Sequence, residues 1–117
     1  MTDVQWPGVD APQHVLAIVN PAAGSKRGQV VVERLREIRF PRITLHVTTP
    51  DFDFARAIEE GVAAGADRIL VAGGDGTLME GVSGAQRALG GEMLPFSWVP
   101  VGTGNVVSGV LGLPHRL

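Results

Sequence analysis

The sequence predicts an α/β fold: a three-layer α/β/α sandwich around a parallel sheet of about four strands, in the order 2-1-3-4. Short apolar runs alternate with helical patterns from residue 14 onward, which is typical of parallel strands joined by crossover helices. Residues 69–72 are apolar without alternation, as expected for a strand that is covered on both faces. The length of 117 residues is that of one ordinary domain.

The first strand and helix are predicted in the first third of the chain. Residues 14–20 form a buried-strand run that ends at an Asn-Pro pair. After the small residues 22–25, a helix is expected to begin near Gly28. Apolar residues recur along it at spacings of four and three residues and form one face of the helix: Val31, Leu35 and Ile38.

The second strand and helix follow directly. Residues 43–48 alternate between apolar and polar side chains, which predicts the second strand. Asp51 or Asp53 can cap the second helix, and Gly61 or Gly65 lies near its end.

Two more strand and helix pairs complete the predicted order. Residues 68–72 form the third strand, and an apolar stripe from residue 78 to residue 89 predicts a helix that ends at a glycine pair. Residues 96–101 predict the fourth strand, and residues 106–111 predict the beginning of a fourth helix. Ligands of such sheets bind at the carboxyl ends of the strands, so the loops that follow the strands are the places to look for function.

Composition and charge exclude several classes of protein. The absence of cysteine excludes a disulfide scaffold and thiolate chemistry, and it fits a cytoplasmic protein. Nucleic acid is not an expected partner because the formal net charge is -2. Six basic residues between positions 26 and 42 leave room for an anionic ligand, or they form a solvated helix face. Residues 1–13 lack the pattern of a signal peptide and are expected to be a flexible leader before a domain of residues 14–117.

The loop after the third strand has the composition of a phosphate cradle. Gly73, Gly74 and Gly76 would allow positive backbone dihedral angles and close approach of a ligand, and the helix that follows offers free amides. Asp75 would repel phosphate unless a cation or a hydrogen-bond network lies between them, so it either binds magnesium or pins the loop. Thr77 can cap the helix or donate to a phosphate. The alternative is a plain tight turn.

Two other strand ends carry loops of similar chemistry. In residues 20–28, Pro21 fixes the exit from the strand, Gly24 leaves room, and residues 25–27 offer donors and positive charge. Residues 102–105 combine two glycines with a threonine and an asparagine, which suits either a ligand loop or a capped helix start. Neither the Walker sequence nor the GxGxxG dinucleotide fingerprint is present in these loops.

The motifs NPAAG, GGDGT and PVGTGN, followed by LGLP, resemble in order and spacing the catalytic domain of the diacylglycerol kinase family. This family includes bacterial lipid kinases, sphingosine kinases and ceramide kinases, and the resemblance covers residues 14–114. GGDGT alone is shared with NAD kinases and, in looser form, with 6-phosphofructokinases. The flanking motifs are more specific for the lipid-kinase branch. The resemblance implies a Rossmann-like, phosphofructokinase-like sheet.

The resemblance implies ATP-dependent phosphorylation of a lipid hydroxyl, diacylglycerol-like or sphingoid, with ATP and Mg²⁺ bound by this domain. Asp75 is the implied catalytic and metal-binding residue. Met79 stands where the family has an asparagine, while Glu80 is kept. The expected nucleotide-binding residues are Asn20, Pro21, Ala22, Ala23, Gly24, Thr48, Gly73, Gly74, Asp75, Gly76, Thr77, Leu78, Met79, Glu80, Gly102, Thr103, Gly104 and Asn105.

Members of the resembled family carry a second, largely β domain that binds much of the lipid acceptor. The 117 residues do not contain it, so we expect them to bind nucleotide and to turn over substrate poorly alone. An uncovered sheet edge and apolar patch would favour a homodimer or swapped assembly, and transient contact with a membrane surface is compatible with a lipid acceptor. Two alternatives stay open: an NAD kinase-type enzyme, and a non-catalytic nucleotide-binding or assembly module.

Overall fold

The computed structural model describes residues 12–92 and 94–101. The four strands form one parallel sheet in the order β2-β1-β3-β4, which confirms the predicted fold class and strand order. The predicted fourth helix lies outside the described residues. In the described part of the chain, no helix has the length and apolarity needed to cross a bilayer. The elements are β1 (His14–Val19), α1 (Ala23–Arg36), β2 (Arg42–Val47), α2 (Phe54–Ala63), β3 (Arg68–Gly73), α3 (Asp75–Leu89) and β4 (Phe96–Pro100).

The sheet separates two apolar cores, because successive side chains of a strand point to opposite faces. Val15, Ala17 and Val19 of β1 pack on the side of α1. Leu16 and Ile18 pack on the other side, among residues of α2 and α3. Every residue of β1 and of β3 is buried, which explains why both strands are apolar without interruption after their first residues, His14 and Arg68.

Helix α1 begins earlier than the sequence predicted. We expected a start near Gly28, whereas the helix runs from Ala23. The amide of Ala23 donates to the carbonyl of Asn20 at 3.3 Å, so the chain turns into the helix directly after β1. This first turn is irregular, with positive φ angles of 58° at Gly24 and 73° at Lys26. Gly28, where we expected the helix to begin, lies inside α1. Its backbone packs on the carbonyl of Asn20, where a Cβ atom would clash.

The sequence left two candidates for the cap of α2, Asp51 and Asp53, and two glycines near its end, Gly61 and Gly65. The structure decides both. Asp53 is the N-cap and accepts from the amide of Arg56 at 3.1 Å. Gly65 follows the end of the helix with a φ angle of 106°. Gly61 lies inside α2, where a Cβ atom would be 2.9 Å from Leu16 Cδ1, so its role is to let the helix approach the sheet.

The amino edge of the sheet is tied by polar contacts. The carboxylate of Asp67 accepts from the amides of Gln13 and His14, each at 3.0 Å, so Gln13 is held although we predicted it to belong to the leader. Burial pushes the pKa of Asp67 upward, but these hydrogen bonds, together with one from its own backbone amide and the electrostatic influence of His14, outweigh it, and the pKa lies below its usual value. Beside it, the buried Arg68 donates to Ser97 Oγ at 3.1 Å.

Candidate functional site

The segments that follow β1 and β2 meet the first turns of α3 at the carboxyl edge of the sheet. Parallel strands bring these ends to the same edge, where the chain reverses direction into helices. Between them lies a cleft of about 310 Å³. Six of its lining residues belong to the set expected from the family resemblance. The lining residues are Asn20, Pro21, Ala22, Thr48, Thr49, Pro50, Phe52, Phe54, Thr77 and Glu80.

Asn20 connects three elements at this edge. Its backbone amide donates to the carbonyl of Ala72 in β3 at 2.9 Å. Its side-chain Nδ2 donates to Thr77 Oγ1 in α3 at 3.3 Å, and its Oδ1 accepts from the amide of Ala22 at 3.0 Å. Because one side chain bridges the start of α1 and the first turn of α3, the two segments are held in register before any ligand binds.

The glycine-rich segment after β3 differs in conformation from our prediction. Strand β3 runs through Gly73, Gly74 is the N-cap with φ -84° and ψ -169°, and α3 begins at Asp75. None of Gly73, Gly74 and Gly76 has a positive φ angle, so the prediction of positive dihedral angles is wrong. An extended N-cap residue joins a strand directly to a helix, so no left-handed residue is required here.

The glycines of this segment provide space. A Cβ atom at Gly73 would lie 2.7 Å from Thr77 Oγ1, so the glycine lets the strand end contact the first helical turn. At Gly74 and Gly76 a Cβ atom would meet nothing within 4 Å, which leaves the backbone open. Thr77 does not cap α3, since its buried hydroxyl faces Asn20, and no described side chain caps this helix. The first amides of α3 therefore have no acceptor within the helix.

Asp75 is the acidic residue in the first turn of α3, and it is exposed. Among the described residues, no group of three or more acidic, histidine or cysteine side chains could form a metal cage. Mg²⁺ is commonly bound by one or two carboxylates, with water and substrate phosphates completing its shell. A single carboxylate beside open backbone amides fits that pattern, so Asp75 is suited to hold Mg²⁺ when a phosphate is present.

A second cleft, of about 690 Å³, adjoins the first between the start of α2 and α3. Phe52, Phe54 and Glu80 line both clefts. Met79, at the position where the family has an asparagine, is 65% exposed and lines only the second cleft. The remaining lining residues of the second cleft are Asp51, Asp53, Ser83 and Arg87.

The other expected site residues fall into two groups. Ala23 and Gly24 lie in the first turn of α1, and Leu78 is half-buried in α3. The last group lies outside the described residues and consists of Gly102, Thr103, Gly104 and Asn105.

The sequence analysis missed five residues at this edge. Four of them line the first cleft, and the signal for them was their position within six residues after the expected Thr48: Thr49, Pro50, Phe52 and Phe54. Trp98 of β4 donates from its indole nitrogen to the carbonyl of Gly73 at 3.2 Å. No sequence pattern indicates this hydrogen bond, because it depends on the register between β3 and β4.

The fold and the site define the class: an α/β domain whose polar cleft lies at the carboxyl edge of a parallel sheet, beside a glycine-lined helix start. The chain belongs to the family described as the diacylglycerol kinase catalytic domain, which matches residues 14–117.

Relatives of known name and structure are consistent with this family. A Pseudomonas aeruginosa protein named "Probable lipid kinase YegS-like" is 31% identical over 106 residues, which cover 91% of this chain and 34% of the relative. A "Diacylglycerol kinase" of Mycobacterium tuberculosis is 33% identical over 106 residues, 87% of this chain and 33% of the relative. A crystal structure of a diacylglycerol kinase from Bacillus anthracis str. Sterne has a TM-score of 0.60 at 31% identity, covering 93% of this chain and 38% of that one. The chain thus spans about a third of the length of these curated relatives.

Proposed function

We propose that this chain is the nucleotide-binding part of an ATP-dependent lipid kinase, which transfers the γ-phosphate of ATP to a lipid hydroxyl. The observation that carries the proposal is the start of α3. There Gly74 and Gly76 leave the backbone open, no described side chain caps the helix, and Asp75 lies in the first turn. The family to which the chain belongs supports the same reading.

The phosphates of ATP bind at the start of α3. The first amides of α3 have no acceptor within the helix, so they and the positive end of the helix dipole favour an anion there, and the two open glycines let it reach the backbone. The exposed Lys26 and Arg27 in the first half of α1 add positive charge at the same edge of the sheet. Asn20 supports the site by keeping α1 and α3 together rather than by offering free donors.

Asp75 is the proposed magnesium-binding and catalytic residue. A carboxylate next to the phosphates would weaken their binding unless a cation lies between them. Bound Mg²⁺ neutralises charge on the phosphates during transfer. The carboxylate of Asp75 binds the Mg²⁺ ion, and its exposed position leaves room for the coordinating water molecules that Mg²⁺ retains.

The acceptor is a lipid hydroxyl, diacylglycerol-like or sphingoid. Phosphoryl transfer depends mainly on positioning and charge neutralisation, so the contribution of this chain is to hold the phosphates and the cation in place. By themselves, these 117 residues are expected to transfer phosphate at a rate more than about tenfold below that of a full-length relative, since they span only about a third of the length of such relatives. Self-association, contact with a membrane surface and a cytoplasmic location stay predictions from the sequence.

The test is a transfer assay with ATP labelled at the γ-phosphate and Mg²⁺, using the protein expressed from its complete gene. Diacylglycerol, a sphingoid base and NAD are offered as acceptors in parallel. We expect label in the lipid fraction, and loss of that label when Asp75 is replaced by alanine. Label in NADP would show the NAD kinase alternative instead. Absence of transfer to any acceptor, together with absence of ATP binding, would contradict a kinase role.

A further inference from the structure

We propose that the ring of Phe52 is the platform on which the nucleobase stacks, which makes it a base-binding residue of the cleft. This inference rests on the proposed function, because it concerns the base of the nucleotide whose phosphates bind at α3. It assigns a role to a residue that neither the motifs nor the family resemblance singled out.

The first cleft is lined by side chains of two chemical kinds. Asn20 and Thr77 are polar and are joined by a hydrogen bond beside the open start of α3. Phe52 and Phe54 are the two aromatic side chains that line the cleft. A nucleoside triphosphate also combines a charged chain with a flat π-system. With the phosphates at the start of α3, the phenylalanines are the lining residues suited to receive the base.

Phe52 is better placed for stacking than Phe54. Phe54 is only 6% exposed and belongs to the core between the sheet and α2, so its face is used in packing. Both rings line both clefts, but Phe52 is only half-buried, so part of its ring remains open to a ligand. A ring on the wall between two clefts offers an aromatic surface to a base without closing either cleft.

The ring of Phe52 is held by two neighbouring rings. Phe54 and Phe52 form a T-shaped pair, with ring centroids 5.0 Å apart and an interplanar angle of 89°. His46 of β2 contacts it at 5.7 Å and 56°. The backbone amide of Phe52 donates to the carbonyl of Thr49 at 3.1 Å, which fixes the segment. A ring that is already held loses little conformational freedom when a base stacks on it, so more of the stacking energy appears as affinity.

The experiment is isothermal titration calorimetry with two probes, ATP and inorganic tripolyphosphate, each with Mg²⁺. Tripolyphosphate carries the phosphate chain without a base, so it separates base recognition from phosphate binding. The main variant is Phe52→Leu, which keeps an apolar side chain and removes the aromatic face. Phe52→Tyr restores the ring. Phe40→Leu is the matched control, since Phe40 is 56% exposed and precedes β2 at the opposite edge of the sheet.

Phe52→Leu is expected to weaken ATP binding by about five- to 100-fold, the range that corresponds to loss of one base-stacking contact. Tripolyphosphate affinity should stay within about twofold of the wild-type value, because the phosphate end of the cleft is untouched. Phe52→Tyr should recover ATP affinity to within about threefold, and Phe40→Leu should match the wild type for both probes. Circular dichroism and thermal melting check that each variant is folded.

Three results would overturn the inference while leaving the proposed function in place. ATP affinity unchanged in Phe52→Leu shows that no base stacks on the ring. Equal weakening of ATP and tripolyphosphate shows that the ring acts on the shape of the whole cleft. Wild-type protein that binds tripolyphosphate and ATP equally well shows that the base makes no contact, while phosphate binding at α3 stands. Wild-type protein that binds neither probe contradicts the proposed function itself, and the inference with it.

Discussion

The indole nitrogen of Trp98 donates to the carbonyl oxygen of Gly73 at 3.2 Å, and the amide of Val101 donates to the same oxygen, also at 3.2 Å. Gly73 is the last residue of β3, immediately before the N-cap of α3. Two donors from the β4 side therefore fix the point at which the strand ends and the candidate phosphate-binding helix begins. The side chain of Trp98 is thus a positioning group for the site.

Replacing Trp98 by phenylalanine keeps an aromatic side chain and removes the donor. We expect the free energy of unfolding to fall by roughly 1 kcal/mol, the usual contribution of one such hydrogen bond. Magnesium-ATP affinity should fall a few-fold as well, because Gly73 keeps only the Val101 donor. Chemical denaturation and calorimetry measure the two effects. Wild-type affinity in a variant with reduced stability would show that Trp98 contributes to the fold alone.

The packing of α3 against α2 depends on the absence of a side chain at Gly84. A Cβ atom there would lie 2.7 Å from Phe54 Cβ and 3.0 Å from the amide nitrogen of Ala55. Gly84→Ala is therefore expected to lower the free energy of unfolding by about 1–3 kcal/mol, in spite of the better helix propensity of alanine. Gly91→Ala is the control, since nothing lies within 4 Å of that position. Equal melting temperatures for the two variants would contradict this packing.

Gly76→Ala should change stability and binding in opposite directions. A Cβ atom at Gly76 meets nothing within 4 Å, so alanine in this helical position is expected to add about 0.5 kcal/mol of stability. The same methyl group would occupy the open space where we place the phosphates, so ATP affinity should decrease. A more stable variant with undiminished affinity would locate the phosphates elsewhere.

The pH dependence of stability should reveal the contact of Asp67 with the chain before β1. Burial raises the pKa of Asp67, but the amides of Gln13 and His14, with its own backbone amide and the electrostatic influence of His14, together lower it more, so the pKa in the folded state lies below the unfolded value. The charged carboxylate therefore stabilises the fold above pH 4, and this stabilisation is lost as the pH falls through the folded pKa.

The variant Asp67→Asn should be less stable than the wild type by about 1 kcal/mol at pH 7, and the difference should shrink below pH 4. Glu59→Gln, which changes an exposed carboxylate of α2, serves as the control for general charge effects. Urea denaturation at pH 7, 5 and 3.5 measures the differences. A stability gap that does not depend on pH would show that the carboxylate charge is not involved.

Much of the fold was predictable because strands and helices leave periodic apolar patterns. The buried runs of β1 and β3 identified the centre of the sheet, and the cap of α2 was narrowed to Asp51 or Asp53, of which Asp53 is the N-cap. The start of α1 was not predictable, because it depends on the turn that Asn20 closes after β1.

The site was predictable in composition but not in geometry. The motifs led to the residues that meet at the carboxyl edge, since parallel strands bring their ends together. The conformations of Gly73, Gly74 and Gly76 were mispredicted, because glycine serves two purposes, positive φ angles and free space, and only the second applies here. Contacts such as Trp98 with Gly73, or Phe52 with His46, depend on three-dimensional neighbours that leave no pattern in the sequence.

The most direct test of the central claim is calorimetric titration of the 117-residue chain with magnesium-ATP, comparing the wild type with Asp75→Ala. Asp75 is exposed in the first turn of α3, so its replacement should leave the fold intact. Glu92→Ala, beyond the other end of α3, is the matched control. We predict that Asp75→Ala weakens binding at least about tenfold while Glu92→Ala binds as the wild type does. Equal affinity in all three proteins would contradict a magnesium-nucleotide site at the carboxyl edge of the sheet.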